Sequence, residues 1–271
     1  HECEDESQQS SIRWRQIPRA VLSGPAALGA TALCTSLFAA AFALPVGRLV
    51  WRSLEAGTHS TRIWEALGNS ILLASAGAAL AFVLALIIAL SIRKKGPIAT
   101  FARIAASSGY AIPGAVLALG ALAVITALPA GLSGFTAVAA LAWVYAVRFT
   151  AAGTEPMVAA LARAPASIGQ AAQSLGATPF RRTFCVDLPV AMSGAAAAAL
   201  VLFVEALKEL PATLMLRPFN WDTLAVRAYA YASDERLASA ALPSLLITMA
   251  GLLPVILLSR QISRARPGAA P

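Results

Sequence analysis

The sequence predicts an all-α polytopic membrane protein, with six transmembrane helices and a polar loop between the fourth and fifth. The first observation behind this is composition: 58% of residues are hydrophobic and only 13% charged, with a mean hydropathy of +0.72, whereas about a quarter of residues are charged in soluble domains. The second is length. A helix needs about 20 apolar residues to cross the hydrocarbon core, and blocks of that kind recur along the chain. The third is the placement of the bases, which lie between the blocks. The formal net charge of +8 is scattered in this way and is not gathered with aromatics on one surface, so it argues against a nucleic-acid partner.

The apolar blocks fall near 21 to 46, 66 to 90, 104 to 128, 131 to 147, 190 to 216 and 237 to 259. The first follows Arg13, Arg15 and Arg19 as a signal peptide would, but it is too long for one and five more follow, so it is read as a retained helix. Before it, residues 1 to 20 begin with His1 and run through Glu2, Glu4, Asp5 and Glu6, too polar to pack. That segment is expected to be a linker or cut end, and 261 to 271 a tail.

With the amino end inside, the inner segments hold Arg13, Arg15, Arg19, Arg93, Lys94, Lys95, Arg103, Arg148, Arg163, Arg181, Arg182, Arg260, Arg264 and Arg266, fourteen of the 21 bases. Arg48, Arg52, Arg62, Arg217, Arg227 and Arg236 fall outside, and Lys208 lies at membrane depth. The bias puts both chain ends and the loop from 151 to 189 in the cytoplasm. Runs such as Ser75 to Ala79 and Ala195 to Ala199 are made of small residues, which let helix backbones approach closely in lipid. Pro113-Gly114 in the third block and Pro254 in the sixth should each bend a helix. Cys3, Cys34 and Cys185 have no metal or disulfide spacing.

The loop reads as helix, turn, helix. Ser167 is expected to cap a segment running through Gln170, Ala171 and Ala172 to Leu175. Gly176 ends it in the left-handed conformation, and Pro179 begins the next turn. Small Ala171 and Ala172 leave room for another surface, and Phe180, Phe184 and Val186 give the second segment an apolar edge before Leu188-Pro189 leads into the fifth block. Such a finger fits a cleft on a soluble partner, although an interfacial amphipathic helix would also use Ala, Leu and Arg.

Within the fifth block, Glu205, Lys208 and Glu209 are spaced i, i+3 and i+4 and should share one helix face. A charge near the bilayer centre costs about 2.5 to 3.5 kcal/mol on insertion scales, so these groups should face the bundle interior, with Pro211 freeing the Leu207 carbonyl beside them. Two readings fit: an ion pair locking helices, or groups lining the translocation path. The second is preferred.

The pattern Gln170-Ala171-Ala172, three residues, Gly176, nine residues, Val186-Asp187-Leu188-Pro189 resembles the cytoplasmic Glu-Ala-Ala loop of binding-protein-dependent ABC importer permeases, with Gln170 for Glu and Val186 for Ile. Tyr110 to Gly114, Arg148-Phe149, the stretch from Glu205 to Thr223 and Ala232 to Glu235 resemble the iron(III) branch of that family, so the likeness covers about 20 to 260. The resemblance implies a six-helix permease in the bacterial inner membrane, a second permease half fused or separate, and a periplasmic binding protein delivering ferric ion. It also implies a cytoplasmic ATPase dimer that engages Gln170, Ala171, Ala172, Leu175, Gly176, Phe180, Leu188 and Pro189. The polar amino end resembles the linker before a carboxyl-terminal half. The outer loop from 217 to 236, with Arg217, Asp222, Arg227, Asp234, Glu235 and Arg236, would face the binding protein or be an ordinary connection.

No Gly-x-x-x-x-Gly-Lys-Ser/Thr phosphate loop occurs in the chain, so ATP and Mg are expected on the separate ATPase, with no cofactor on this pore-forming subunit. Thiamine, sulfate, polyamine and phosphonate importers share the loop. An intramembrane serine protease would need a base in the bilayer, and the two histidines, His1 and His59, lie outside the blocks, so Ser70 beside Gly68-Asn69 is expected to bond its own helix backbone. An ion-gradient-driven secondary transporter fits intramembrane acids and broken helices, but has no use for an ATPase-docking finger.

Overall fold

A computed structural model describes residues 22–57, 61–93, 96–127, 133–162, 166–192 and 194–264. All regular structure among them is helical. The chain divides into two units, His1–Gly47 and Arg48–Pro271. The first holds α1 (Gly24–Phe38), which starts with a proline in its first turn and passes through a π-helical turn (Ala39–Ala43) into α2 (Leu44–Glu55), where the boundary between the units falls. Nothing along α1 is buried, and Leu28, Leu33, Leu37 and Phe38 are exposed. A helix apolar on every side is suited to lipid.

The second unit contains α3 (Thr61–Arg93), α4 (Pro97–Ala111), α5 (Gly114–Ala127) and α6 (Gly134–Ala162). Then come α7 (Ala166–Ser174), α8 (Pro179–Arg182), a π-helical turn (Thr183–Asp187), α9 (Leu188–Met192) and α10 (Ala195–Leu207). It closes with α11 (Pro211–Leu216), α12 (Leu224–Ser233) and α13 (Leu237–Arg264).

The six expected blocks correspond to three unbroken helices long and apolar enough to cross a membrane, two bent pairs and the apolar Leu237–Leu252 part of α13. Pro113-Gly114 acts as the sequence predicts: α4 and α5 meet there at 104°. At the other expected kink, the backbone of α13 is helical through 254, and the Pro254 side chain lies outside the described residues, as do 1 to 20 and 265 to 271.

Two boundaries differ from expectation. The fourth block does not stop near 147: α6 continues to Ala162 with Pro156 inside it, so the polar loop begins after 162 and Arg148 is not a loop residue. Its polar residues are absorbed by packing, since Thr150 and Thr154 return their hydroxyls to the Ala146 and Thr150 carbonyls. The fifth block does not run to 216. Helix α10 ends at Leu207, because Pro211 has no N–H for that carbonyl, and Pro211 instead opens α11 in its first turn, where a missing donor is tolerated.

Helices α3, α6 and α10 form the centre. Leu73, Leu141, Tyr145 and Leu202 are buried in one cluster, while Ala85 and Ala89 of α3, Met157 and Leu161 of α6, Ala191 of α9 and Ala198 of α10 make a second, nearer the loop. Small residues set the spacing. A Cβ on Gly194 would stand 2.5 Å from the Pro156 carbonyl oxygen, and one on Gly153 2.7 Å from Leu202. At the opposite end, Ile63 and Ala66 of α3 pack with Leu224 of α12 and with Leu242 and Leu246 of α13.

Candidate functional site

Arg148 occupies the middle of α6, fourteen residues from each end (148 − 134 and 162 − 148). At about 1.5 Å per residue that is about 21 Å from either end. Around it lie two breaks in membrane helices, the α4/α5 bend and the gap between α10 and α11. Backbone that leaves the helix at membrane depth must find partners in protein or water, and here side chains supply them. Arg148 Nη1 donates to the Ile112 carbonyl at the first break, 3.1 Å away. Its Nε faces Glu209 Oε2 at 3.5 Å.

Glu209 belongs to the second break and is 6% exposed. Its Oε1 accepts the Ala212 N–H at 3.3 Å, a donor at the start of α11 with no helical partner. Its own carbonyl accepts from the Tyr145 hydroxyl at 3.3 Å and from the Thr213 hydroxyl at 2.8 Å, and the two hydroxyls are 2.5 Å apart. Gly114 completes the arrangement, because a Cβ there would collide with Glu209 Oε1 and stand 2.7 Å from Arg148 Nη1. Five residues, from α5, α6, α11 and the α10/α11 gap, thus bring the two breaks together.

The expected common face of Glu205, Lys208 and Glu209 does not form. Lys208 caps α10 rather than continuing it, so the register fails one residue before Glu209 and its side chain turns into the core. Lys208 Nζ donates to Glu205 Oε1 at 2.7 Å, forming a separate and more accessible pair whose lysine side chain is 55% exposed. Arg148, Tyr145, Thr213 and Gly114 carry no pattern in the sequence that joins them to Glu209. The signal that could have found them was Arg148 itself, a base fifteen residues into a helix that α6 packing extends. Among the described residues no group of three or more His, Cys, Asp or Glu converges as a metal site.

The polar loop sits at the end of the bundle beyond Leu161 and Ala89. Helix α7 ends as its sequence predicts: Gly176 has φ +79°, its N–H donates to the Gln173 carbonyl and the Ala177 N–H to the Ala172 carbonyl, each at 2.9 Å, the paired closure of a glycine-terminated helix. Thr178 then caps α8, accepting the Arg181 N–H at 3.3 Å, with Pro179 in the first turn. Ser167 is inside α7, not at its cap, since the helix begins at Ala166.

Gln170, Ala171 and Pro189 are exposed, Ala172 and Leu188 half-buried. Leu175 is 88% and Phe180 72% exposed, and the Phe180 and Phe184 rings are in tilted contact with centroids 4.4 Å apart. The loop therefore leaves the apolar side chains of Leu175 and Phe180 open to solvent among the described residues.

At the far end, Asp222 binds both Arg217 and Arg227, the latter at 2.8 Å, and the Asn69 amide holds the Asp222 carbonyl at 3.1 Å. Ser70 donates to the Ala66 carbonyl at 2.8 Å, as expected, and also accepts the Leu224 N–H at 2.7 Å. Three of the six charged residues expected to face outward thus tie the loop to α3. Asp234, Glu235 and Arg236 are exposed, and so is Phe219.

The bundle, bent helices and projecting loop share their fold with chains of solved ABC transporters. A bacterial ABC transporter involved in import of the acidic polysaccharide alginate superposes with a TM-score of 0.69 at 13% identity, covering 89% of this chain and 96% of that one. The MetNI methionine ABC transporter in an inward-facing conformation superposes at 0.60 and 16% identity, covering 76% and 96%.

In sequence the chain is similar to permease proteins of an iron(III) and of a phosphonate transport system. It is 26% identical over 232 residues to the Fe(3+)-transport system permease protein FbpB 2 of Haemophilus influenzae, 83% of this chain and 46% of that protein. It is 33% identical over 104 residues to the putative 2-aminoethylphosphonate transport system permease protein PhnV of Salmonella typhimurium, 38% of this chain and 39% of that protein. The chain therefore spans less than half the length of the curated relatives it matches. No family model matches it.

Proposed function

We propose that this chain is one permease half of an ATP-driven importer in the bacterial inner membrane, that ferric iron delivered by a periplasmic binding protein is its cargo, and that a cytoplasmic ATPase dimer drives it through α7. The observation that carries this reading is the meeting of two broken helices at the Arg148–Glu209 pair, since discontinuous helices near the bilayer midplane mark the substrate path in transporters. The exposed loop surface of Leu175 and Phe180 supplies a docking face, and the segment from Pro179 to Leu207 links that face to Glu209.

Transport follows by alternating access. Closure of the ATPases brings the docking helices of two permease halves together, α8 to α10 tilt with them, and the α10/α11 break shifts against the α4/α5 break. Glu209 and Arg148 then exchange partners as the path opens to one side or the other, with differential contacts in each state setting the direction. Glu205 and Lys208, the accessible pair, line the path next to this constriction. Iron rests on similarity to the Fe(3+) permease. A phosphonate cargo is the second reading, favoured by the PhnV similarity.

The complex reconstituted in liposomes with its ATPase and binding protein tests both. Uptake of radiolabelled ferric iron that stops on ATP depletion, with ion gradients clamped, and that Glu205→Gln or Lys208→Met reduces, supports the proposal. ATP-dependent uptake of 2-aminoethylphosphonate in place of iron selects the second reading, and uptake that survives ATP depletion refutes both.

A further inference from the structure

The docking helix needs a stiff connection to the bundle, because a lever hinged at its base does no work on the pore. Helix α7 packs on α8 and the π-helical turn, and between α7 and α8 lies the left-handed corner at Gly176. That corner alone would leave α7 free to swing.

Arg182 closes the gap. Its guanidinium lies on the backbone of Gly169 in α7: a Cβ at 169 would stand 2.7 Å from Nη2, 2.8 Å from Cζ and 2.9 Å from Nε. The same guanidinium faces Asp187 Oδ2, with Nε at 3.6 Å. Asp187 ends the π-helical turn and is 5% exposed. Four residues further, Ala191 of α9 is fully buried against Ala85, Ala89, Met157 and Leu161, so Asp187 is fixed to the two central membrane helices. Leu175 and Phe180 remain exposed, so the contact leaves the docking surface open.

We propose that Arg182 is a positioning residue: it braces the docking helix at Gly169 against Asp187, so that α7 moves as one body with α9 and α10. The planar guanidinium suits this role, because one face can lie flat on a glycine backbone while its edge meets a carboxylate. The proposal rests on the docking role of the loop given above. It predicts that losing the brace uncouples ATP hydrolysis from transport and does not abolish docking.

The test is the reconstituted complex in liposomes, with ferric iron on its binding protein, measuring ATPase association, ATP hydrolysis and iron transported per ATP for Arg182→Gln, Asp187→Asn and Gly169→Ala. The last keeps both charges and displaces only the guanidinium, and it serves if the others fail to fold. Association is expected to stay within twofold of wild type while transport per ATP falls at least about fivefold in the first two variants and by a smaller factor in the third, with Arg182→Lys recovering part of the loss. An unchanged ratio of transport to ATP in all three variants, or a parallel fall of both rates, overturns the brace. If Ala172→Arg leaves ATPase association intact, the docking reading itself is what fails.

Discussion

Arg148 and Glu209 face each other at 3.5 Å in the middle of the membrane-spanning bundle, and each also binds a backbone group exposed where a helix breaks. The pair is therefore a joint between breaks as well as a neutralised charge. Glu209 is buried and the Arg148 side chain is half-buried, so removing one partner leaves the other incompletely compensated, at a cost of up to about 3 kcal/mol, the lower end of the range for fully buried pairs. Arg148→Met and Glu209→Gln should each lower the thermal unfolding midpoint in detergent, the double variant Arg148→Met/Glu209→Leu should be less unstable than the sum of the two, and all should lose uptake. Additive losses would show that the two residues act separately.

Gly114 has no room for a side chain, since its Cβ would meet both members of the pair. Gly114→Ala should destabilise by about 1 to 3 kcal/mol, the range for overpacking. Gly120, in the next turns of the same helix, has open space around its Cα, and Gly120→Ala should leave the unfolding midpoint unchanged. Equal effects at the two glycines would contradict the packing described.

How far the sequence reveals this arrangement depends on the distance over which each interaction acts. Gly176, Pro179 and the Pro113-Gly114 bend are legible because a left-handed corner, a helix start and a helix break are local events. Arg148 is misassigned because a base among Thr, Gly and Glu looks like the end of a hydrophobic block, and its pairing with Glu209 from the α10/α11 break is a tertiary contact that no local pattern announces. The face expected for Glu205, Lys208 and Glu209 assumes an unbroken helix, while Pro211 starts a new one. Tyr145 and Thr213 gain their role from tertiary contact alone.

The left-handed backbone at Gly176 disfavours any residue with a Cβ by about 1 to 2 kcal/mol. Gly176→Ala should weaken association with the ATPase by up to about thirtyfold in a pull-down titration, the factor that such an energy produces. Unaltered binding would show that the corner does not shape the docking surface.

Ser70 satisfies the Leu224 N–H, which is buried. Ser70→Ala strands that donor at a cost of about 1 to 3 kcal/mol, so hydrogen exchange should accelerate at Leu224 and through the start of α12, with the loop at 163 to 189 unaffected. Unchanged exchange would mean that Asn69 and the Asp222 ion pairs hold the outer segment without it.

The most direct test of the coupling role is the sidedness of Leu175, which is 88% exposed. In a background with Cys3, Cys34 and Cys185 changed to Ser, Leu175→Cys should react with a membrane-impermeant maleimide only in inside-out vesicles and be protected when the ATPase is bound. Labelling from the periplasmic face, or labelling indifferent to the ATPase, would contradict the account.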